Sequence, residues 1–114
     1  MHELGLVFAL SDLLEEVAAE QVLSRICRVT VELGEVSGVV AGQLQDAWGW
    51  ASQKNDLLRG CQLQLKTVPA VTVCNSCGRT YPTVPQGRIC PHCGSSDTQL
   101  LRGNEFEVAE VEGM

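Results

Sequence analysis

Apolar residues near the start of the chain recur every three or four positions, the spacing of one face of an α-helix. The periodic positions are Leu6, Leu10, Leu13, Leu14, Val17 and Val22. Acidic residues take the other faces, so the pattern predicts an amphipathic helix over about residues 4–23. A shorter pattern of the same kind predicts a second helix of about three turns, carried by Leu44, Ala47, Trp48 and Ala51.

Elsewhere the apolar period is two, as in a β-strand with one buried face. In the first such stretch Cys27, Val29, Val31 and Leu33 alternate with Arg28, Thr30 and Glu32, which are predicted to face water. A second stretch contains Cys61, Leu63 and Leu65, and a third begins at Phe106 and shifts parity after Val108, which predicts a bulge. The element order predicts an α+β fold, namely a small three-stranded sheet with two helices on one face and a protruding cysteine loop.

Length and charge restrict the class of protein. A chain of 114 residues forms one compact unit with at most a small appendage. Its formal net charge of -6, without a basic cluster, disfavours nucleic acids and anionic membranes as partners. No apolar run reaches the roughly 18 to 20 residues of a membrane span, and Met1-His2-Glu3 lacks the positive start of a secretory signal. We therefore expect a cytoplasmic protein, whose cysteines are thiols or metal ligands rather than disulfides.

Four cysteines form two Cys-x-x-Cys-Gly units, with twelve residues between Cys77 and Cys90. Each unit turns two sulfurs toward one point, so Cys74, Cys77, Cys90 and Cys93 are predicted to bind one tetrahedral metal ion. Zinc is the expected occupant, in a closed structural site. Iron in a rubredoxin-like site, paired disulfides and a redox Cys-x-x-Cys remain alternatives. Cys27 and Cys61 are interpreted as core thiols.

The amino terminus places a histidine directly behind the first residue. The amine of Met1, the imidazole of His2 and the backbone nitrogens of His2 and Glu3 offer nitrogens in one plane, which suits Ni(II) or Cu(II) better than zinc. By chemistry alone, a solvated terminal histidine is the simpler interpretation. Glu3 is equally explained as a first-turn acid, and His92 as an exposed side chain next to a sulfur shell that is already complete.

Taken together, these segments resemble one family. Met1-His2-Glu3-Leu4, the Gly34-Glu35-Val36-Ser37-Gly38 turn, the paired cysteine units and Gly103-x-Glu105-Phe106 are similar in order and kind to the HypA/HybF hydrogenase-maturation nickel chaperones. The resemblance covers essentially the whole chain. It departs at Gly5, where the family commonly carries serine, and in the absence of histidines just outside the cysteine units.

The resemblance implies a non-enzymatic nickel chaperone. His2 would hold a labile Ni(II), Glu3 would modulate the nickel site or partner docking, and the four cysteines would hold structural zinc. Residues 1–71 and 98–114 would form the nickel-binding α/β domain, and 72–97 the zinc-binding, zinc-ribbon-like domain. The implied partners are the large subunit of nickel–iron hydrogenase and a nickel-handling GTPase, with urease machinery served by some members. We expect a monomer or a weak homodimer.

An alternative function of another class is a zinc-ribbon adaptor that binds protein or nucleic acid. Arg79, Arg88 and Arg102, with Tyr81 for stacking, would carry nucleic-acid binding, but three scattered charges on an acidic domain predict weak binding at most. An enzyme is disfavoured, because the sequence contains no catalytic triad pattern, phosphate loop or open three-ligand zinc site.

Overall fold

The computed structural model describes residues 2–114, and side chains from residue 3 onward. The chain divides into two compact units. Unit 1 comprises Met1–Val31, Val39–Lys66 and Val108–Met114, and unit 2 comprises Glu32–Gly38 and Thr67–Glu107. The mixed helix and strand content confirms the predicted α+β class. The domain boundaries expected from the sequence, with 72–97 devoted to zinc, stay a prediction.

Helix α1 spans His2–Gln21 and buries one face, formed by Val7, Leu10, Leu14 and Ala18. It ends two residues earlier than the periodicity predicts. Val22 adopts a left-handed conformation with φ of 56°, and the Leu23 N–H donates to the Ala18 carbonyl at 2.8 Å, which closes the helix in a Schellman-type turn. Val22 is consequently 88% exposed, so its apolar side chain misled the sequence prediction.

The strands of the first sheet are β1 at Ile26–Gly34, β2 at Gln62–Val68 and β6 at Phe106–Gly113, in the order β2-β1-β6. Cys61, Leu63, Val29 and Val31 are buried as predicted. Thr30 was expected to face water and is instead 5% exposed. It lies in β1, the middle strand of the sheet, which has a neighbouring strand on each side. Nearer the strand end, Arg28 stays accessible and pairs with Glu112 of β6.

Helix α2 spans Ala41–Ser52, in agreement with the predicted position. Leu44, Trp48 and Ala51 form its buried face. The Trp48 Nε1–H donates to the Cys61 carbonyl at 2.9 Å, and Gln45 Nε2 donates to the Leu63 carbonyl at 2.7 Å. These bonds attach the helix to the strand segment at the edge of the sheet and satisfy carbonyls that strand pairing leaves open. Neither this helix nor any other in the described chain is long and apolar enough to span a membrane.

Unit 2 contains a second antiparallel sheet that the sequence analysis missed. Its strands are β3 at Val71–Cys74, β4 at Thr80–Pro82 and β5 at Thr98–Arg102, in the order β4-β3-β5, with a one-turn helix α3 at Thr83–Gln86. The pattern of β3 was misleading because one of its two buried residues is polar. Thr72 is 4% exposed, and its hydroxyl lies 2.7 Å from that of Thr83.

Three backbone segments of unit 2 cross closely where the sequence has glycines. The Gly34 N–H donates to the Glu105 carbonyl and the Val36 N–H to the Gly103 carbonyl, both at 2.8 Å. The carboxylate of Glu35 accepts the Ala70 N–H at 2.8 Å. A Cβ on Gly34 would overlap the Gly103 backbone, and one on Gly103 would lie 2.5 Å from the Ala70 Cα. Residues without a Cβ are therefore required at this crossing.

The substitution Gly34→Ala is expected to lower the free energy of unfolding by about 2 to 3 kcal/mol, because the new methyl forces apart segments joined by these hydrogen bonds. Urea denaturation of the zinc-saturated protein measures the change. Gly42→Ala is the control, since Gly42 lies in α2 with open space around it and alanine is the better helix former. If Gly34→Ala left the free energy of unfolding unchanged, the backbone crossing would be able to accommodate a methyl group, contrary to this prediction.

Candidate metal centre

The two cysteine units fold into the same turn. In each, the N–H of the first cysteine donates to the carbonyl five residues later, Arg79 or Ser95, at 2.9 Å. The following glycine, Gly78 or Gly94, donates back to the first cysteine's carbonyl at 2.9 Å. Both glycines have φ near the left-handed value, 78° and 77°, a conformation that most residues avoid. The repeated Cys-x-x-Cys-Gly pattern thus accounts for the same turn in both units.

The four sulfurs of Cys74, Cys77, Cys90 and Cys93 meet at one point, all within 4.8 Å of one another. The Sγ atoms of Cys74 and Cys93 are 3.6 Å apart, and those of Cys77 and Cys90 are 3.8 Å apart. A tetrahedron with zinc–sulfur bonds of ~2.3 Å has edges of ~3.8 Å, whereas a disulfide requires ~2.05 Å. The donor set therefore fits a tetrahedral metal ion, and disulfide pairing is wrong for this arrangement.

Backbone N–H groups favour negative charge at this cluster. The Cys77 N–H, 3.4 Å from the Cys74 sulfur, is the main reason that the pKa of Cys74 falls to about 7. For Cys93, a backbone hydrogen bond from Ser95 favours the thiolate, but the Cys74 sulfur and desolvation outweigh it and raise the pKa of Cys93 to about 12. One cysteine of the cluster therefore ionises readily, whereas four adjacent thiolates would repel one another. A divalent cation at the centre would stabilise all four.

The surroundings of the cluster divide it into an inner and an outer half. Cys74 and Cys90 are buried against Tyr81, whose hydroxyl donates to the Gly87 carbonyl at 3.1 Å. Cys77 and Cys93 are exposed. The Ser76 and Ser95 hydroxyls, 2.9 Å apart, connect the two turns on the outer side. Because Tyr81 is only 3% exposed, the stacking role that the nucleic-acid alternative gave it is wrong.

At the other end of the chain, His2 is the first residue of α1. The amine of Met1 and the imidazole of His2 lie outside the described residues, so the geometry of the predicted nickel site rests on its neighbours. Glu3 is 7% exposed, and its Oε2 accepts the N–H of Val40 at 3.2 Å. Val40 is the N-cap residue of α2. The Glu3 side chain therefore connects the first turn of α1 to the start of α2 through a hydrogen bond that the sequence pattern did not predict.

The remaining candidate groups are not among the four clustered sulfur ligands. Cys61 is 6% exposed, and burial together with the neighbouring Cys27 raises its pKa to about 11, so it is a protonated thiol at neutral pH. Cys27 is half-buried rather than fully buried as predicted. His92 is exposed and is not among the clustered ligands of the described chain, although its backbone N–H lies 3.4 Å from the Cys90 sulfur.

Comparison with known proteins finds a family model that matches residues 1–113, described as hydrogenase/urease nickel incorporation, metallochaperone, hypA. Two similar relatives are hydrogenase maturation factors HypA. That of Geobacter metallireducens is 31% identical over 98% of both chains, and that of Dehalococcoides mccartyi strain 195 is 30% identical over 98% of this chain and 93% of its own. The hydrogenase maturation factor HybF of Klebsiella pneumoniae is 29% identical over 99% of each chain.

Solved structures support the same fold. The solution structure of the Ni metallochaperone HypA from Helicobacter pylori superposes with a TM-score of 0.77, covering 100% of this chain and 98% of that one at 24% identity. The family match extends over both ends of the chain and the four-cysteine cluster. The chain therefore belongs to the HypA/HybF family of nickel-incorporation metallochaperones, and it is a maturation factor rather than an enzyme.

Proposed function

We propose that this chain carries a labile Ni(II) at the start of α1 and helps to insert it into the large subunit of nickel–iron hydrogenase, while zinc bound by the four cysteines orders unit 2. The nickel ligands would be the His2 imidazole, the backbone nitrogens of His2 and Glu3, and the amine of Met1. The family match over residues 1–113 carries the proposal, because it assigns nickel incorporation to the chain as a whole.

The donor chemistry separates the two metals. Four sulfurs fill a tetrahedral shell, which leaves no position from which a cargo ion exchanges easily. The chain has two histidines, and His92 is not among the clustered ligands of the described residues, so His2 is the imidazole left for nickel. Consecutive backbone nitrogens at a chain start give the planar arrangement that Ni(II) accepts and zinc does not.

The local structure suits a weak, exchangeable site. The first N–H groups of a helix have no partner within the helix, so nickel binding by the backbone nitrogens of His2 and Glu3 would break no hydrogen bond of the helix itself. The positive end of the helix dipole disfavours a cation there, which lowers affinity and aids release. The buried Glu3 carboxylate, bonded to Val40, would hold the first turn in place while its backbone nitrogen binds metal.

The proposed partners follow from the family's role. Nickel would come through a nickel-handling GTPase and pass to the hydrogenase large subunit, with urease machinery as a further recipient. The protein would act as a monomer or weak homodimer in the cytoplasm, where a reducing environment keeps its six cysteines available as thiols.

Measuring the content of each metal distinguishes two separate sites, one for nickel and one for zinc, from a single site that binds both metals. Untagged protein that begins at Met1 is saturated with Ni(II), dialysed against a mild chelator, and assayed for each metal by elemental analysis. We expect about one zinc per chain to be retained, and nickel to bind before dialysis and leave during it. Nickel that binds only after zinc is stripped would place the cargo at the cysteines and contradict the proposal.

A further inference from the structure

Two of the chain's five aromatic side chains are half exposed on unit 1, where α1 and α2 lie side by side. Phe8 of α1 is 49% exposed, and Trp50 of α2 is 54% exposed. Trp50 lines two depressions. One, of about 610 Å³, also contains Glu3, Leu4 and Ala47. The other, of about 280 Å³, contains Phe8. We call the surface formed by Leu4, Phe8, Ala47 and Trp50 the aromatic patch.

The aromatic patch lies in a strongly acidic part of the chain. Residues 1–23 contain no lysine or arginine and five acidic residues, which are Glu3, Asp12, Glu15, Glu16 and Glu20. Helix α2 adds Asp46, which lines the larger depression, and has no basic residue. Of these acids, Glu3 and Asp46 line the larger depression, whose lining among the described residues includes no basic residue, whereas Lys54 lines the smaller one. The larger depression is therefore complementary to apolar side chains interleaved with positive charges.

The ring of Trp50 already accepts a cation. The Lys54 ammonium lies over it, 5.4 Å from the ring centroid. Such cation–π contacts strengthen when solvent is excluded, so a positive side chain of a partner that replaces Lys54 over the ring gains more in a docked complex than Lys54 gains in the free protein. Large exposed aromatic residues next to a depression are also the usual anchors of protein interfaces.

We propose that the aromatic patch is a docking surface for a helical segment of a partner protein in which apolar residues are interleaved with Lys or Arg. A symmetric dimer through the patch would place two acidic helices against each other, and an anionic membrane would be repelled by the same charge. Glu3 lines the larger depression, so a docked segment contacts the first turn of α1. If the partner belongs to the nickel-delivery pathway, that assignment rests on the proposed function, whereas the docking surface itself does not.

The probes are two labelled 16-residue helical peptides with the same leucine pattern, one with lysine and one with glutamate at the polar positions. Fluorescence anisotropy at about 0.15 M salt measures binding to the full chain. We expect the lysine peptide to bind with micromolar Kd and the glutamate peptide at least tenfold more weakly. Phe8→Ala and Trp50→Ala should each weaken lysine-peptide binding at least tenfold. Asp46→Asn should weaken it a few-fold and reduce its salt dependence.

Leu13→Ala is the matched control, since Leu13 is 41% exposed on α1 but lines neither depression, and it should bind the lysine peptide unchanged. Equal binding of both peptides, or binding that Phe8→Ala and Trp50→Ala leave intact, would overturn the proposal. So would Trp50-dependent dimers in sedimentation or Trp50-dependent binding to vesicles of anionic phospholipid, which would identify a second copy or a lipid surface as the occupant.

Calorimetric titration with Ni(II) separates this proposal from the proposed function. Trp50→Ala should bind nickel as the parent chain does, because Trp50 is not among the proposed ligands. If the parent chain binds the lysine peptide through the patch but no nickel, docking stands and the nickel site fails. If nickel binds at His2 and neither peptide binds, the nickel site stands and docking fails. Unchanged melting temperatures confirm that the exposed-residue variants remain folded.

Discussion

Replacing His2 with alanine is expected to abolish measurable Ni(II) binding while leaving the zinc content unchanged. Removal of groups that merely orient a metal ligand costs about 10- to 100-fold in affinity, so removal of the imidazole itself should cost more than about 100-fold. The loss should be selective because the four sulfurs of the proposed zinc site form a cluster to which no histidine belongs in the described part of the chain. Calorimetric titration with Ni(II) tests the loss of nickel binding, and elemental analysis tests the retention of zinc.

A second alteration tests the amine rather than the imidazole. A chain extended by two residues ahead of Met1 keeps every side chain but displaces the free amine from His2, and it should lose nickel binding as His2→Ala does. His92→Ala is the control and should bind nickel normally. Binding should also weaken as pH falls, since protons compete for the same nitrogens. Intact nickel affinity in both altered chains would refute the amino-terminal site.

Replacing Cys77 with serine is expected to release zinc and disorder the cysteine turns of unit 2. Structural zinc contributes about 10 to 16 kcal/mol in small zinc-binding peptides, and the buried cluster around this site contains only Cys74, Tyr81 and Cys90. So small a core cannot replace that contribution. Cys77 is exposed, so serine at this position leaves no buried cavity and the effect reports the lost ligand.

Elemental analysis and amide NMR spectra measure the result for Cys77→Ser. Signals from residues 74–97 should collapse toward unfolded positions, while those of α1 and α2 persist. Cys27→Ser is the matched control, because Cys27 is a thiol outside the four-sulfur cluster and its loss should leave zinc in place. A Cys77→Ser protein with full zinc and unchanged spectra would show that three sulfurs suffice.

Sequence patterns succeeded where one physical requirement dominates. The spacing of Trp48 and Trp50 around Gly49 allows only one ring onto the buried face of α2, and Trp48 is 2% exposed against 54% for Trp50. The cysteine spacing is equally local, because two residues between thiols and a glycine after them define a turn within six residues. Both features follow from the geometry of a single short segment.

Patterns failed where burial depended on distant segments. Thr30 and Thr72 are polar yet buried, the first in the middle strand of a sheet and the second through its hydroxyl contact with Thr83. Val22 is apolar yet exposed, because the chain turns there to end α1. Hydrophobic alternation reports the average environment of a residue type, and it gives the wrong answer when a polar group finds a partner or an apolar one falls at a turn.

The two long helices, the three strands of the first sheet, the α+β class and the grouping of four cysteines could be deduced from the amino acids alone, because each depends on spacing within short stretches of chain. Only the tertiary structure decided that Gly34 and Gly103 meet at a backbone crossing, that the Glu3 carboxylate accepts a hydrogen bond from the start of α2, and that Phe8 and Trp50 line one depression. These are contacts between residues far apart in sequence, and local propensity carries no information about which distant segments pair.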